Sequence, residues 1–183
     1  MKKMLISAIL AIAASSASAQ NFVSVDVDRV KGLNGAADST AQYVRAGKTI
    51  GDLQFGLQSR TATVNGGGML NSLEVTTAYN KLSVLGLKPF FGVGHDNGFN
   101  APSKGSYQYG LVGATTGAKV GPGFALVGAK TRVNWDDANP KQTVGFATYM
   151  LPVAKNVTLN FNASKSWQDI KENAYGLGLG FNF

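Results

Sequence analysis

Asn173-Ala-Tyr-Gly-Leu-Gly-Leu-Gly-Phe-Asn-Phe183 ends the chain, and its reading decides the fold. In an extended backbone successive side chains point to opposite sides. Tyr175, Leu177, Leu179, Phe181 and Phe183 therefore share one face, while Gly176, Gly178, Gly180 and Asn182 share the other. This is strict period two, with one large apolar face and one small, polar face. In water such an apolar face must be covered by a second layer. In hydrocarbon it is stable as it stands.

The same alternation recurs upstream. Val23, Val25 and Val27 alternate with Ser24, Asp26 and Asp28, and Leu53, Phe55 and Leu57 alternate with Gln54, Gly56 and Gln58. Further segments centre on Val75, Phe91, Tyr109, Val127, Phe146 and Leu159, and in each the apolar set is taken as the outward face. Phe90 breaks the pattern of its segment, and Thr40 to Lys48 alternates poorly. The count is ten strands of roughly nine to twelve residues, the length that crosses a bilayer at a ~45° tilt. Eight strands are the alternative if the Thr40–Lys48 segment is loop and a neighbouring segment is reassigned with it.

Glycine- and polar-rich stretches separate the segments. Tight turns are expected near Thr49–Gly51, at Asn80-Lys81, at Val120–Gly123 and around Asn156, and the longest loop at His95–Gly105. Short and long connections alternate, as in barrels whose short turns face the periplasm and whose long loops face outside. An even strand number then places both termini on the periplasmic side.

At the other end, Met1-Lys2-Lys3 is cationic, Met4 to Ala14 is almost wholly apolar, and Ala17-Ser18-Ala19 offers small residues for cleavage. That order reads as a signal peptide over residues 1–19, removed before Gln20. Eleven apolar residues are too few for a membrane helix, which needs about 20. The remaining 183 − 19 = 164 residues suit one domain, Gln20 to Phe183. Without Lys2 and Lys3 the balance is 15 basic against 10 acidic residues, spread singly, which argues against a nucleic-acid partner. The absence of cysteine excludes disulfides and thiolate metal sites. No metal or other cofactor is expected.

With its alternating Tyr175, Leu177, Leu179, Phe181 and terminal Phe183, the last strand resembles that of the small outer-membrane β-barrel (porin-like) proteins of Gram-negative bacteria. The likeness covers the mature chain as architecture and only the last strand as a motif. It implies an all-β, antiparallel, up-and-down transmembrane barrel in the outer membrane, among lipids and lipopolysaccharide. It also implies that these five residues are the assembly signal read by the barrel-assembly machinery. Phe22, Phe55, Tyr79, Tyr107, Trp135, Trp167, Tyr175 and Phe183 suit the interfacial aromatic girdles of such barrels. The oligomeric state is not legible.

The face assignment places Asp26, Asp28, Arg60, Glu74, Lys88, Lys130 and Arg132 in the lumen, with Arg45 unassigned. Buried charges of both signs must pair or keep water. Two functional readings follow: a salt-bridge network that plugs the barrel, or a narrow aqueous path. For the second, ten glycines assigned inward (56, 86, 92, 94, 110, 128, 145, 176, 178 and 180) leave room for water. Four bases against three acids lean weakly toward anions.

Among the family resembled, some members are proteases with a rim His and carboxylates, and one lipid deacylase uses a Ser/His pair. Here the one histidine, His95, precedes Asp96-Asn-Gly98, which reads as turn chemistry rather than as a catalytic pair. No enzyme is expected. Lys48, Lys81, Lys119 and Lys155 border the periplasmic turns, where they solubilise the hairpins or meet anionic headgroups. The outer loops carry no ligand motif, so a sealed structural, adhesive or receptor barrel is the competing function class.

Overall fold

A computed structural model describes residues 21–33, 37–65, 67–99, 106–136 and 139–183, with the backbone alone at 98 and 99. The expected signal peptide lies outside the described residues. Ten strands follow one another: β1 Phe22–Gly32, β2 Ser39–Ile50, β3 Leu53–Val64, β4 Met69–Tyr79, β5 Lys88–Phe99, β6 Tyr107–Val120, β7 Gly123–Asn134, β8 Gln142–Ala154, β9 Val157–Gln168 and β10 Glu172–Asn182. Each pairs antiparallel with its sequence neighbours, and β1 pairs β10 to close the barrel. That last ladder runs from Phe22↔Asn182 to Gly32↔Glu172 and uses every residue of both strands. No edge is left, so the backbone hydrogen bonds are satisfied inside the wall, as hydrocarbon requires.

The outer surface is apolar. Val25, Phe55, Val75, Phe91, Val127, Phe161 and Leu177 point outward and are 40–56% exposed, while Asp26, Asp28 and Glu74 on the inner face are at most 4% exposed. This inverts the arrangement of a water-soluble protein and fits a barrel with lipid outside and polar groups within. The segment Thr40–Lys48 is a full strand, so the count is ten. Its pattern is weak for a local reason. Its outward Thr40 sits in register with Arg29 of β1 and Thr63 of β3, both polar.

At the end that carries both termini, three links are two-residue turns, at 51–52, 121–122 and 155–156. Gly51, Gly121 and Asn156 take positive φ there (59°, 56° and 70°). The fourth differs from expectation. Residues 80–87 form an arm with its own bridge, Val84↔Leu87, and Leu85 and Gly86 both have positive φ (53° and 79°). Two consecutive positive φ values define the turn type that matches hairpin twist, which explains why the chain reverses at 85–86. Leu85 is thus not a strand residue, and it is 97% exposed. On the opposite rim β5 continues to Phe99, so His95 and Asp96 lie in a strand rather than in a loop.

Candidate functional site: the barrel lumen

Alternation along each strand aims one set of side chains inward, and the register of the ladders brings them together. Asp26 of β1 is fully buried and accepts from Arg45 Nη1 of β2 at 2.5 Å, Ser24 Oγ at 3.0 Å and Asn162 Nδ2 of β9 at 2.9 Å. Arg45 Nε donates to Gln58 Oε1 at 2.9 Å, and Gln58 Nε2 donates to Glu74 of β4 at 3.1 Å. Glu74 also pairs with Lys130 of β7 and accepts from Tyr109 Oη at 3.2 Å. Tyr109 donates to Asp96 as well, at 3.1 Å, and Asp96 holds Arg132 Nη1 at 2.6 Å and Tyr107 Oη at 3.0 Å. The Arg132 guanidinium lies over the Tyr109 ring, 4.2 Å from its centre. The outcome is one connected chain of charged and polar groups from β9 round to β7.

The expected lumen residues are distributed unevenly within it. Asp26, Glu74, Lys130 and Arg132 are members. Arg60 stands apart, 3.6 Å from Glu172 of β10 and facing the Tyr43 ring. Asp28 lines the cavity beside Gly176, and its Oδ1, like Arg60 Nε, is buried with no hydrogen-bond partner among the described residues. Lys88 sits at the rim that carries the two-residue turns, exposed, in register with Thr115. Arg45, left unassigned above, is central, and Asp96, Glu172, Tyr107 and Tyr109 belong to the site although alternation alone did not place them there.

Several facings differ from expectation. Tyr109 is completely buried and Leu111 nearly so, because β6 turns them inward. Val144 is in register with Lys130, and Phe146 with Gly128, so β8 also presents its apolar set to the lumen. Phe22 and Tyr107 point inward and leave the aromatic girdle to Phe55, Tyr79, Trp135, Trp167, Tyr175 and Phe183, all 40–65% exposed. Gly110 and Gly145 face outward, in register with Val133 and Lys165.

Nor do the inward glycines simply leave water space. The Tyr109 ring lies across Gly94, Phe146 across Gly128, and the carboxylates of Asp28 and Asp26 across Gly176 and Gly178. A side chain at these positions would collide with its neighbour, so the glycines make room for large or charged partners. Phe90 breaks its segment's pattern for the same reason, since its ring covers Gly113.

The charge count changes accordingly. Inward acids are Asp26, Asp28, Glu74, Asp96 and Glu172. Inward bases are Arg45, Arg60, Lys130 and Arg132, with Lys88 and Lys119 at the rim. Six bases against five acids leave the same excess of one base as four against three, now within a larger and nearly balanced set.

His95 is exposed on the outer face while Asp96 faces the lumen, so the two point away from each other. Of the turn lysines, Lys81 donates to Asp52 at 2.7 Å and Lys119 lies on the inner face of β6. Tyr175, Leu177, Leu179, Phe181 and Phe183 form an exposed strip, 46–65% accessible, on the outside of the closing strand.

Through the lumen runs one cavity of about 1330 Å³, lined by residues from all ten strands. Its lining extends from Asn182 and Lys88 at the rim with the two-residue turns, past Glu74 and Lys130, to Arg132, Gln142, Ser166 and Glu172 in the opposite, upper half. At that upper end Val30, Ala41, Ala62 and Ala174 form a small buried apolar cluster, and Val30 and Ala174 line the cavity.

No family model and no curated protein matches the sequence. Among solved structures, the translocator domain of the autotransporter NalP from Neisseria meningitidis is similar at 12% identity, with 100% of this chain and 96% of that chain covered and a TM-score of 0.47. Neisserial surface protein A is similar at 14% identity (92% and 100% covered, TM-score 0.45). The N-terminal β-barrel domain of Pseudomonas aeruginosa OprF is similar at 17% (91% and 100% covered, TM-score 0.38). The architecture, carried by the chain's own strand pairing and apolar belt, is that of an outer-membrane β-barrel.

Proposed function

We propose that this chain is an outer-membrane barrel holding a narrow, water-filled path for small solutes or ions, and that it has no enzymatic activity. The observation that supports the reading is the lumen cavity, whose lining includes the ion-pair network's Glu74, Lys130 and Arg132 and residues on both sides of it. Buried Asp28 Oδ1 and Arg60 Nε flank that passage, and a hydrated lumen supplies the partners their burial demands. Near-balanced lumen charge favours weak ion selectivity over a strong preference of either sign.

A sealed structural or receptor barrel is the second reading. It is favoured by the mutual pairing of Asp26–Arg45, Glu74–Lys130 and Asp96–Arg132 and by the apolar cluster at the upper end. Single-channel recording of the protein in planar bilayers under a salt gradient separates the two. The first reading expects small, reproducible steps with a reversal potential near zero, shifted toward cations by Lys130→Glu and Arg132→Glu. A folded barrel that stays electrically silent removes it and leaves the sealed barrel.

A further inference from the structure

The periplasmic half of the lumen has two unlike walls. Around β9, β10 and β1 to β4 the lining is mostly polar, with Asn160, Asn182, Gln54 and Thr76 and, at the rim, the inward ring of Phe22. On β5, β7 and β8 it is mainly apolar, with Phe90, Leu126, Phe146 and Met150, Phe124 at the rim, and Thr148 as the polar residue between Phe146 and Met150. A lumen built only to hold water gains nothing from such a strip, because apolar surface facing water is unfavourable. The lumen of such barrels is ordinarily polar.

The strip is bounded at both ends. Above it Lys130 is bound to Glu74, and with Val144, in register with Lys130, the apolar surface reaches the level of the ion-pair network. At its foot lie Lys88 on β5 and Lys119 on β6, both exposed and neither in an ion pair among the described residues. One apolar strip with cationic groups at its open end complements an amphiphile with one acyl chain and an anionic head.

We propose that this wall binds a free fatty acid entering from the periplasmic mouth, its chain along Phe90, Leu126 and Phe146 and its carboxylate at Lys88. The inference does not depend on conduction, since a vestibule closed above the network would hold the same ligand. The test uses the protein extracted from its membrane and placed in lipid nanodiscs, labelled with a long-chain fatty acid carrying a terminal photoreactive diazirine, with adducts mapped by mass spectrometry.

Adducts are expected on Phe90, Leu126 or Phe146, competed by unlabelled palmitate. Lys88→Glu, at an exposed position, should cut lumen labelling about threefold to fivefold, the range for one partly exposed ion pair. Lys88→Arg should retain it. Adducts confined to outward residues such as Val112 and Val127 would mean ordinary contact with membrane lipid and would overturn the proposal. So would lumen labelling that Lys88→Glu leaves unchanged, or equal lumen labelling by the matching long-chain alcohol.

Discussion

Replacing Lys130 by Met tests the ion-pair network where it is most enclosed. The Glu74 side chain is 5% exposed and that of Lys130 19%. Removing one partner of a buried pair costs about 3–5 kcal/mol, because the remaining charge loses its counterion in a place water reaches poorly. Glu74 would keep its bonds from Gln58 and Tyr109, which places the expected loss for Lys130→Met at the lower end, about 3 kcal/mol. Glu74→Gln strands a more accessible ammonium that lines the cavity and can turn to water, so about 1.5 kcal/mol is expected. The double substitution leaves no charge, and replacing a whole buried pair is often close to neutral, so about 1 kcal/mol is expected. The sum of the single losses is about 4.5 kcal/mol, which against the double loss gives a coupling of roughly 3.5 kcal/mol. Equilibrium urea unfolding in lipid vesicles, followed by the fluorescence of the exposed Trp135 and Trp167, measures all four proteins. Additive losses, or a Lys130→Met loss below about 0.5 kcal/mol, would refute the claim that this pair is desolvated and mutually dependent.

Gly94→Val should cost about 1–3 kcal/mol in the same unfolding assay, since the Tyr109 ring occupies the space a side chain needs. Gly110→Val, on the outward face with its nearest atom at 3.5 Å, should cost less than about 0.5 kcal/mol, and the contrast checks the facing of β6. Replacing Phe181 and Phe183 by Ser should lower the amount of heat-modifiable barrel in the outer membrane of expressing cells while leaving refolding in vesicles intact. Equal loss in both settings would assign the strip to stability rather than to assembly. His95→Ala should change stability by no more than about 0.5 kcal/mol and abolish no activity, because the imidazole is exposed and turned away from Asp96.

Much of the fold was legible because a lipid-facing strand leaves a two-residue rhythm that survives without any tertiary information. β10, β1 and β3 carry it almost without interruption, and their alternating sets are the faces the barrel uses. The rhythm fails where the wall leaves hydrocarbon, as at Thr40, whose lateral neighbours Arg29 and Thr63 are also polar. It fails again at Leu85, where the chemistry of a turn overrides hydrophobicity. Asn80-Lys81 looked sufficient for a reversal, and nothing in that dipeptide signals that the chain proceeds to a second one at 85–86.

The lumen was less legible for a deeper reason. Period two divides a strand into two faces without saying which is which, and the choice falls to the neighbours. β8 carries Val144, Phe146 and Met150 on one face and Tyr149 and Leu151 on the other, so its own hydrophobicity is undecided. Lys130 settles the matter from the next strand: its ammonium belongs with Glu74 inside, and Val144 in register with it must therefore point inward too. Tyr109 follows the same logic, because Gly94 in register with it supplies the space for its ring while Glu74 and Asp96 supply acceptors for its hydroxyl. A slip of one residue in either ladder would expel these side chains into lipid and bury their neighbours. The facing of an ambiguous strand is therefore a property of the ladder, anchored by the few charges that hydrocarbon will not accept, and that anchoring is what places an apolar strip inside a polar lumen.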